Sequence, residues 1–198
     1  MDKKIGLFWL RDDFRLTRNN GLVEATTNHD QVVVFYLYKS NIFKDQEAQK
    51  WWLSKSLTNF KKKLNNFNIS LEIVETNSFQ TFFNNLIKKK DFKIYWNKVY
   101  EPDYLKFDEY LLRELKSKNI YHKRFKGNVL NEIHEIKKSD GTPFKVFTPF
   151  WRIAEKYYIE KIPSKEKTIK KCKKKIHYFT NCIEPEKILP KKKLVQKF

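Results

Sequence analysis

Residues 6–22 read GLFWLRDDFRLTRNNGL. The first five positions of this stretch, with Ile5 before them, are nearly all apolar, the pattern of a strand covered on both faces. Five charges then follow within eight residues: Arg11, Asp12, Asp13, Arg15 and Arg18. No glycine-rich turn separates the two halves. A buried strand that runs directly into charge suits a parallel sheet, in which the carboxyl ends of the strands open onto a ligand cleft. Residues 11–15 would line such a cleft without being buried. The plain alternative is that Asp13 and Arg15 pair only to fix the loop.

The rest of the chain repeats the pattern. Strands are predicted at 5–10, 31–38 (QVVVFYLY), 69–74 (ISLEIV), 92–96 (FKIYW) and, more weakly, 120–125 (IYHKRF). Helices are predicted at 20–27, 45–66, 78–89 and 102–118 between them. The second carries Trp52, Leu53, Leu57, Phe60 and Leu64 on one stripe with lysines opposite. Ser78 reads as a helix cap, and Pro102 as a first helical residue. Strand and helix in alternation predict a doubly wound, five-stranded parallel sheet in a three-layer, Rossmann-like α/β/α arrangement. Asp140-Gly141 marks a turn, and Thr148-Pro149 opens a helix through Trp151, Ile153, Ala154 and Tyr158. Beyond Pro163 the chain turns polar and lysine-rich. The expected division is an α/β domain over residues 1–162 and a basic linker or tail over 163–198.

The 198 residues carry a net charge of +19. Of 42 basic residues, 36 are Lys and six Arg, a bias shared with Asn, Ile and Phe that A/T-rich codons produce. Residues 161–198 hold 13 Lys and three Glu, so roughly half the excess lies in the tail. It is expected to be solvated, with weak non-specific contact to DNA phosphates or docking of a separate flavin-binding chain as its functional readings. No apolar run reaches membrane-spanning length and no signal-peptide pattern opens the chain, so a cytoplasmic protein is expected. Cys172 and Cys182 lack metal-site spacing and are read as incidental. His29, His122, His134 and His177 are scattered. With only four glycines there is no GxGxxG and no Walker loop, which excludes those dinucleotide and NTPase sites. Neither a metal site nor a catalytic constellation is predicted.

FWLRDDFRLTRNNGL resembles the opening signature of the photolyase/cryptochrome family at Trp9, Arg11, Asp13, Arg15, Leu16 and Asn19. Three further blocks are similar, in order: WWLSKSLTNFKKKL (51–64), YWNKVYEP (95–102) and DGTPFKVFTPFWR (140–152). The resemblance covers residues 4 to about 162. It implies the family's N-terminal α/β domain, which often holds an antenna chromophore at its strand ends. It also implies a linker to a helical domain that binds FAD and damaged DNA. That domain and its FAD are not expected on this chain, which alone should not repair DNA. The ends of the first, second and fourth strands bring Arg11, Asp12, Leu37 to Lys39, Asn97 and Glu101 to one polar rim, and Arg11, Asp12, Tyr36, Leu37, Gln49, Asn97, Glu101, Asp103 and Tyr104 are the expected chromophore contacts. Asp103 and Tyr104 stand where folate-holding members have Asn-Glu; Gln49 and Val99 stand where deazaflavin-holding members have Arg and Asp. Arg18 replaces the usual Asp before Asn19. The chromophore is therefore left open among flavin, deazaflavin, methenyltetrahydrofolate and none. Phe35, Tyr36, Tyr38 and Trp51 could sandwich a flat ring or form ordinary core. The five tryptophans are read as core or pocket residues. An exposed patch at Phe144, Phe147, Phe150 and Trp151 is expected where the second domain packs, with self-association in its absence. Three roles follow: one half of a split photolyase with a separate FAD-binding chain, a stand-alone nucleotide- or flavin-binding module, or an inactive remnant.

Overall fold

The computed structural model describes residues 4–43, 45–127, 129–132, 134–160 and 167–190. The elements run β1 Ile5–Leu10, α1 Asn20–Asn28, β2 Val32–Tyr38, α2 Glu47–Asn65, β3 Ser70–Glu75 and α3 Phe79–Ile87. They continue with β4 Phe92–Asn97, α4 Pro102–Ser117, β5 His122–Phe125, α5 Phe147–Glu160 and β6 Cys182–Ile183. A single 3-10 turn, Pro185–Ile188, follows. The sheet order is β5-β4-β1-β2-β3-β6. The first five strands are mutually parallel, and β6 pairs antiparallel with β3.

Alternate residues of the apolar strands feed two cores, as a doubly covered sheet requires. Phe8, Leu10, Val32, Val34, Ile73 and Tyr95 meet α1 and α2 on one face. Leu7, Trp9, Val33, Phe35, Ile94 and Trp96 meet α3 and α4 on the other. Chain order reverses beside β1: β2 and β3 extend one way, β4 and β5 the other. The carboxyl ends of β1 and β4 therefore form the switch point where such sheets bind ligands.

Three expectations need correction. First, the sheet has six strands, the sixth coming from the presumed tail. Over residues 167–190 that tail is a strap and not a solvated chain. It starts beside the β1–α1 loop, where Thr168 bridges Thr17. It then descends along α1, where the Lys170 amide donates to Thr26 Oγ1 at 3.1 Å. At the amino edge of the sheet the Cys172 amide donates to the Phe67 carbonyl at 2.9 Å, and the Lys173 amide to that of Asp30 at 3.0 Å. Ile169 and Cys172 are buried in the α1/α2 core, whereas Ile176, Tyr178 and Phe179 pack against the α3/α4 core. The strap thus passes under the sheet, and β6 then pairs along the β3 edge. Glu72 of β3, 3% exposed, is its latch: the carboxylate accepts the amides of Tyr178 at 3.0 Å and Phe179 at 2.7 Å. Residues 161–166, where the domain boundary was expected, lie outside the described residues.

Second, the tryptophans divide. Trp9 and Trp96 are buried, but Trp51, Trp52 and Trp151 are exposed. On α2 the buried stripe is Leu53, Leu57, Phe60 and Leu64; Trp52 falls beside it and meets only its rim, edge-on to Phe14. Third, α5 starts at Phe147, one residue before the expected Thr148 cap. Ala154 is its buried residue, while Trp151 and Ile153 face outward; the side chain of Tyr158 lies outside the described residues.

Candidate functional site: the strand-end cleft

The charged run after β1 turns inward. Arg11 is 6% exposed and Asp108, on α4, 0%. Arg11 Nη1 donates to Asp108 Oδ1 at 3.0 Å and Nη2 to Oδ2 at 3.3 Å. Nη2 also donates to the Asn97 carbonyl. The guanidinium lies 4.7 Å from the Trp9 ring centroid and 5.6 Å from that of Tyr104, within cation–π range. Burial lowers the Arg11 pKa, and Asp108 opposes the shift. The expectation that this cluster need not be buried fails at Arg11 and Asp13. A buried guanidinium requires a paired carboxylate, and α4 supplies it.

Asp13 and Arg15 do pair, at 2.7 and 2.8 Å. Asp13 also accepts Asn97 Nδ2 at 3.2 Å. Asn97 Nδ2 donates to Asn19 Oδ1 at 2.9 Å, and Asn97 Oδ1 accepts the Gly21 amide at 3.2 Å. Asn19 in turn caps α1 through the Leu22 amide at 3.1 Å. Gly21 has no alternative here: a Cβ would stand 2.6 Å from Asn97 Oδ1. The signature stretch is therefore a polar lock joining β1, α1, β4 and α4. It leaves a void of about 10 Å³ between Trp9, Arg11, Asp12, Asn97 and Val99, room for roughly one water.

The open space lies beside this lock. A cleft of about 590 Å³ is bounded by Lys39 and Ile42 after β2, Ser78, Phe79 and Gln80 at the start of α3, and residues 101–104 and Phe107 at the start of α4. That is within the range of small-molecule sites. Its wall is aromatic: Phe79 lies 6.1 Å from Tyr104 and 5.8 Å from Phe107, with Trp9 behind at 5.6 Å. Lys39 Nζ stands 3.9 Å above the Phe79 ring. Burial raises the pKa of Tyr104, with Asp12 adding to it, and holds the Tyr36 hydroxyl far above its ordinary range. Asp12 is itself raised by burial, against the pull of Arg11. The Tyr36 and Tyr104 hydroxyls therefore stay protonated near neutrality, and the wall suits a flat, largely apolar ring with an anionic edge at Lys39.

Of the residues singled out from sequence, Glu101, Asp103 and Tyr104 line the cleft. Arg11 lies beneath Tyr104 and is occupied by Asp108. Tyr36 is half-buried and senses both Tyr104 and Asp12. Leu37 is core, and Asn97 belongs to the polar lock. Gln49 is exposed on α2 and is not among the lining residues. Phe35 and Tyr38 are buried in opposite cores. Sequence reasoning used the ends of β1, β2 and β4 and missed the end of β3, where Ser78 caps α3 and Phe79 opens it. Asp108 was also missed, although a carboxylate in register with buried Leu111 and Leu115 is a signal. His29 is structural, hydrogen-bonded to the Lys4 carbonyl and the Tyr95 hydroxyl. Among the described residues no group of three His, Cys, Asp or Glu could hold a metal, and no helix is long and apolar enough to cross a membrane.

This architecture, with its arginine-anchored first loop and strand-end cleft, defines a class. The DNA photolyase family model matches residues 6–167. The chain belongs to that family and corresponds to its N-terminal domain. It is 27% identical over 150 residues to the deoxyribodipyrimidine photo-lyase of Agrobacterium fabrum, covering 75% of this chain and 31% of that protein. It is 26% identical over 155 residues to cryptochrome-2 of Arabidopsis thaliana, covering 77% and 25%. The chain thus spans about a third or less of the curated relatives it matches. Among solved structures, the class III photolyase of Agrobacterium tumefaciens superposes with a TM-score of 0.81 at 24% identity, over 98% of this chain and 40% of that one. The photolyase of Sulfolobus tokodaii, solved with two FAD molecules, gives 0.72 at 17% identity, over 93% and 40%.

Proposed function

We propose that this chain is a light-harvesting domain that holds a flat heteroaromatic chromophore in the strand-end cleft. The observation that carries the reading is the cleft itself: about 590 Å³ at the carboxyl edge of the sheet, walled by Phe79, Tyr104 and Phe107, with Lys39 at the rim. Ring faces of this kind hold a flat heterocycle by offset and edge contacts. Lys39 and the first amides of α3 would take an anionic substituent, a phosphate or carboxylate. The second FAD of the Sulfolobus photolyase supports a flavin as first candidate; deazaflavin and methenyltetrahydrofolate are the others. Bound there, the chromophore would supply light absorption and pass its excitation to the family's FAD domain, where light-driven repair of pyrimidine dimers takes place.

A second surface supports the partner half of this reading. Phe147 is 69% and Trp151 42% exposed, and their rings stack 6.1 Å apart; Phe150 is half-buried beside them, with Phe144 6.3 Å away. A contiguous aromatic face of this kind suits packing against an FAD-binding domain. Where none is present, this face would drive self-association, read by sedimentation velocity at rising concentration.

The test is spectroscopic. Dark-purified protein is titrated with FMN, a deazaflavin and methenyltetrahydrofolate in turn, following induced absorption and circular dichroism in the near-ultraviolet and blue. One of the three should bind, and Phe79→Ala or Tyr104→Ala should weaken it about tenfold or more. No induced signal from any of them up to about 1 mM, in protein that melts cooperatively, overturns the reading.

A further inference from the structure

All amino ends of a parallel sheet lie along one edge, and each helix that feeds the next strand ends there. In this chain that edge is floored with lysine. Lys4 precedes β1, Lys62 and Lys63 occupy the last turn of α2, Lys88, Lys89 and Lys90 follow α3, and Lys116 and Lys118 end α4. The strap crosses beneath them and adds Lys170, Lys171, Lys173, Lys174 and Lys175. All thirteen are exposed. Among the described residues the carboxylates at this edge are Asp30, Asp91 and Glu114, with Glu72 buried behind the strap. Asp30 pairs with Lys173 at 2.7 Å, and Asp91 accepts the Tyr178 hydroxyl. Lys62, Lys63, Lys90, Lys116, Lys118, Lys171 and Lys174 have no carboxylate partner among the described residues. Lys88, Lys90 and Lys118 rim a groove of about 460 Å³ between α3 and α4.

Lysines at helix carboxyl ends have an ordinary purpose, which is to offset the negative end of the dipole. That accounts for Lys62, Lys63, Lys88 and Lys116. It does not account for the strap's five, which cap no helix. Those five are held in place, since the strap is fixed by Cys172 and Lys173 amide bonds, by Asn68 Nδ2 on the Cys172 carbonyl at 2.9 Å, and by Ser70 Oγ on the Ile176 carbonyl at 2.6 Å. A positive array ordered in advance loses little backbone entropy when a polyanion docks.

We propose that this amino-edge floor is a docking surface for the phosphate backbone of a nucleic-acid duplex, bound without regard to sequence. Five strands spaced about 4.8 Å apart make the floor about 19 Å long between its outer strands. Duplex DNA presents one charge per roughly 1.7 Å of axis, so a segment of that length offers on the order of 11 phosphates, about half of them facing the protein. None of the six arginines lies in these edge loops or in the strap, so the bidentate side chain that most often reads guanine is missing from the surface. A lipid surface fits less well, because interfacial binding requires inserted apolar side chains. Of the exposed large hydrophobic residues, Tyr121 is the one that lies at this edge. The floor is at the opposite edge of the sheet from the cleft, so duplex and chromophore do not compete, and failure of the chromophore reading leaves this one standing.

The test is a fluorescence-anisotropy titration of the whole chain with a labelled 20-base-pair duplex over a range of salt. With about six lysines engaged, affinity should fall on the order of 10³-fold between about 50 and 200 mM salt. The floor variant K62Q/K63Q/K171Q/K174Q should flatten the log–log salt slope by about 3 to 4 and weaken binding on the order of 10²–10³-fold at about 100 mM salt. The control K55Q/K106Q/K137Q/K156Q makes the same charge change on exposed positions elsewhere and should cost less than about tenfold. Melting curves verify that both fold. Equal losses in the two variants would assign binding to net charge alone and overturn the proposal. So would a floor variant that binds like the parent, or a chain that ignores the duplex and binds phosphatidylserine vesicles.

Discussion

Replacing Asp108 by Ala should be among the most damaging single changes in this domain. Asp108 is fully buried and holds Arg11 by two hydrogen bonds, at 3.0 and 3.3 Å. At that separation, and at an effective dielectric of about 20, the attraction is about 5 kcal/mol. Desolvating the two ions costs a comparable amount, so the intact pair adds little net stability. The balance changes when one partner is removed. Asp108→Ala leaves a buried guanidinium facing Trp9, Tyr104 and the Asn97 carbonyl, with Nε already lacking a partner. An uncompensated buried charge of this kind costs about 3–5 kcal/mol. At roughly 2–4 °C per kcal/mol for a chain of this length, the melting temperature falls by about 6–20 °C. Urea unfolding followed by tryptophan fluorescence measures the loss. The double variant Arg11→Met/Asp108→Leu removes the buried pair, while Arg124, 3.5 Å from Asp108, keeps Glu109 at 3.0 Å; it should recover most of the loss, to within about 1.5 kcal/mol of the parent. An Asp108→Ala cost below about 1 kcal/mol, or a double variant no better than the single, would refute the argument, because either result means that Arg11 reaches water.

Three further outcomes are expected. Glu72→Ala removes the acceptor for the Tyr178 and Phe179 amides; losing about 3 kcal/mol of charge-assisted bonding should speed tryptic cleavage after Lys175 on the order of 100-fold, and an unchanged cleavage rate would mean the strap is anchored elsewhere. Burial, with help from Glu132, pushes the Tyr100 hydroxyl up to about 12. Because its folded pKa lies above the unfolded value of about 10, its share of stability is complete below pH ~10 and lost as pH rises toward ~12; Tyr100→Phe should flatten the decline of stability across that window, and identical profiles would contradict it. Burial pushes both thiols up to about 11, but Cys172 is 3% exposed whereas Cys182 lies on the surface. One equivalent of a maleimide should therefore react in the native protein, at Cys182 and more slowly than with a free thiol, and the second only in denaturant; two native equivalents would place the strap off the sheet.

What sequence revealed and what it concealed have one physical division. Strands and helices announce themselves through local periodicity, so all five parallel strands and the helices between them were legible to within about two residues. The cleft was legible as a place, because the ends of parallel strands are fixed by topology, and Glu101, Asp103 and Tyr104 do line it. The partners were not. Arg11 meets Asp108 across 97 positions of sequence, and nothing in the charged run says whether it turns inward or out. The strap was read as solvated because lysines dominate it and its buried residues obey no single period. Ile169 and Cys172 serve one core, and Ile176 and Phe179 the other. An extended segment that passes from one face of a sheet to the other buries side chains where the grooves are, and a sequence pattern carries no record of another element's grooves.

Charge placement bears on how a chain with net charge +19 keeps a compact domain. Like charges concentrated at random would oppose folding by self-repulsion. Here much of the charge is gathered at one edge. Helix carboxyl ends, with their partial negative charge, converge on the amino edge of a parallel sheet, and the lysines of α2, α3 and α4 collect where that field is favourable. The carboxyl edge carries helix amino ends, Ser78, the Arg11–Asp108 pair and an aromatic wall, with Lys39 at the rim of the cleft. The strap then brings five more lysines to the already positive edge, at an electrostatic cost that its buried Ile169 and Cys172 and its latch on Glu72 must exceed. A fold that holds charge against its own repulsion has that repulsion available for release. Screening it with salt or covering it with a polyanion should raise the melting temperature of the parent chain more than that of the floor variant, which links the stability of the domain directly to occupation of its amino edge.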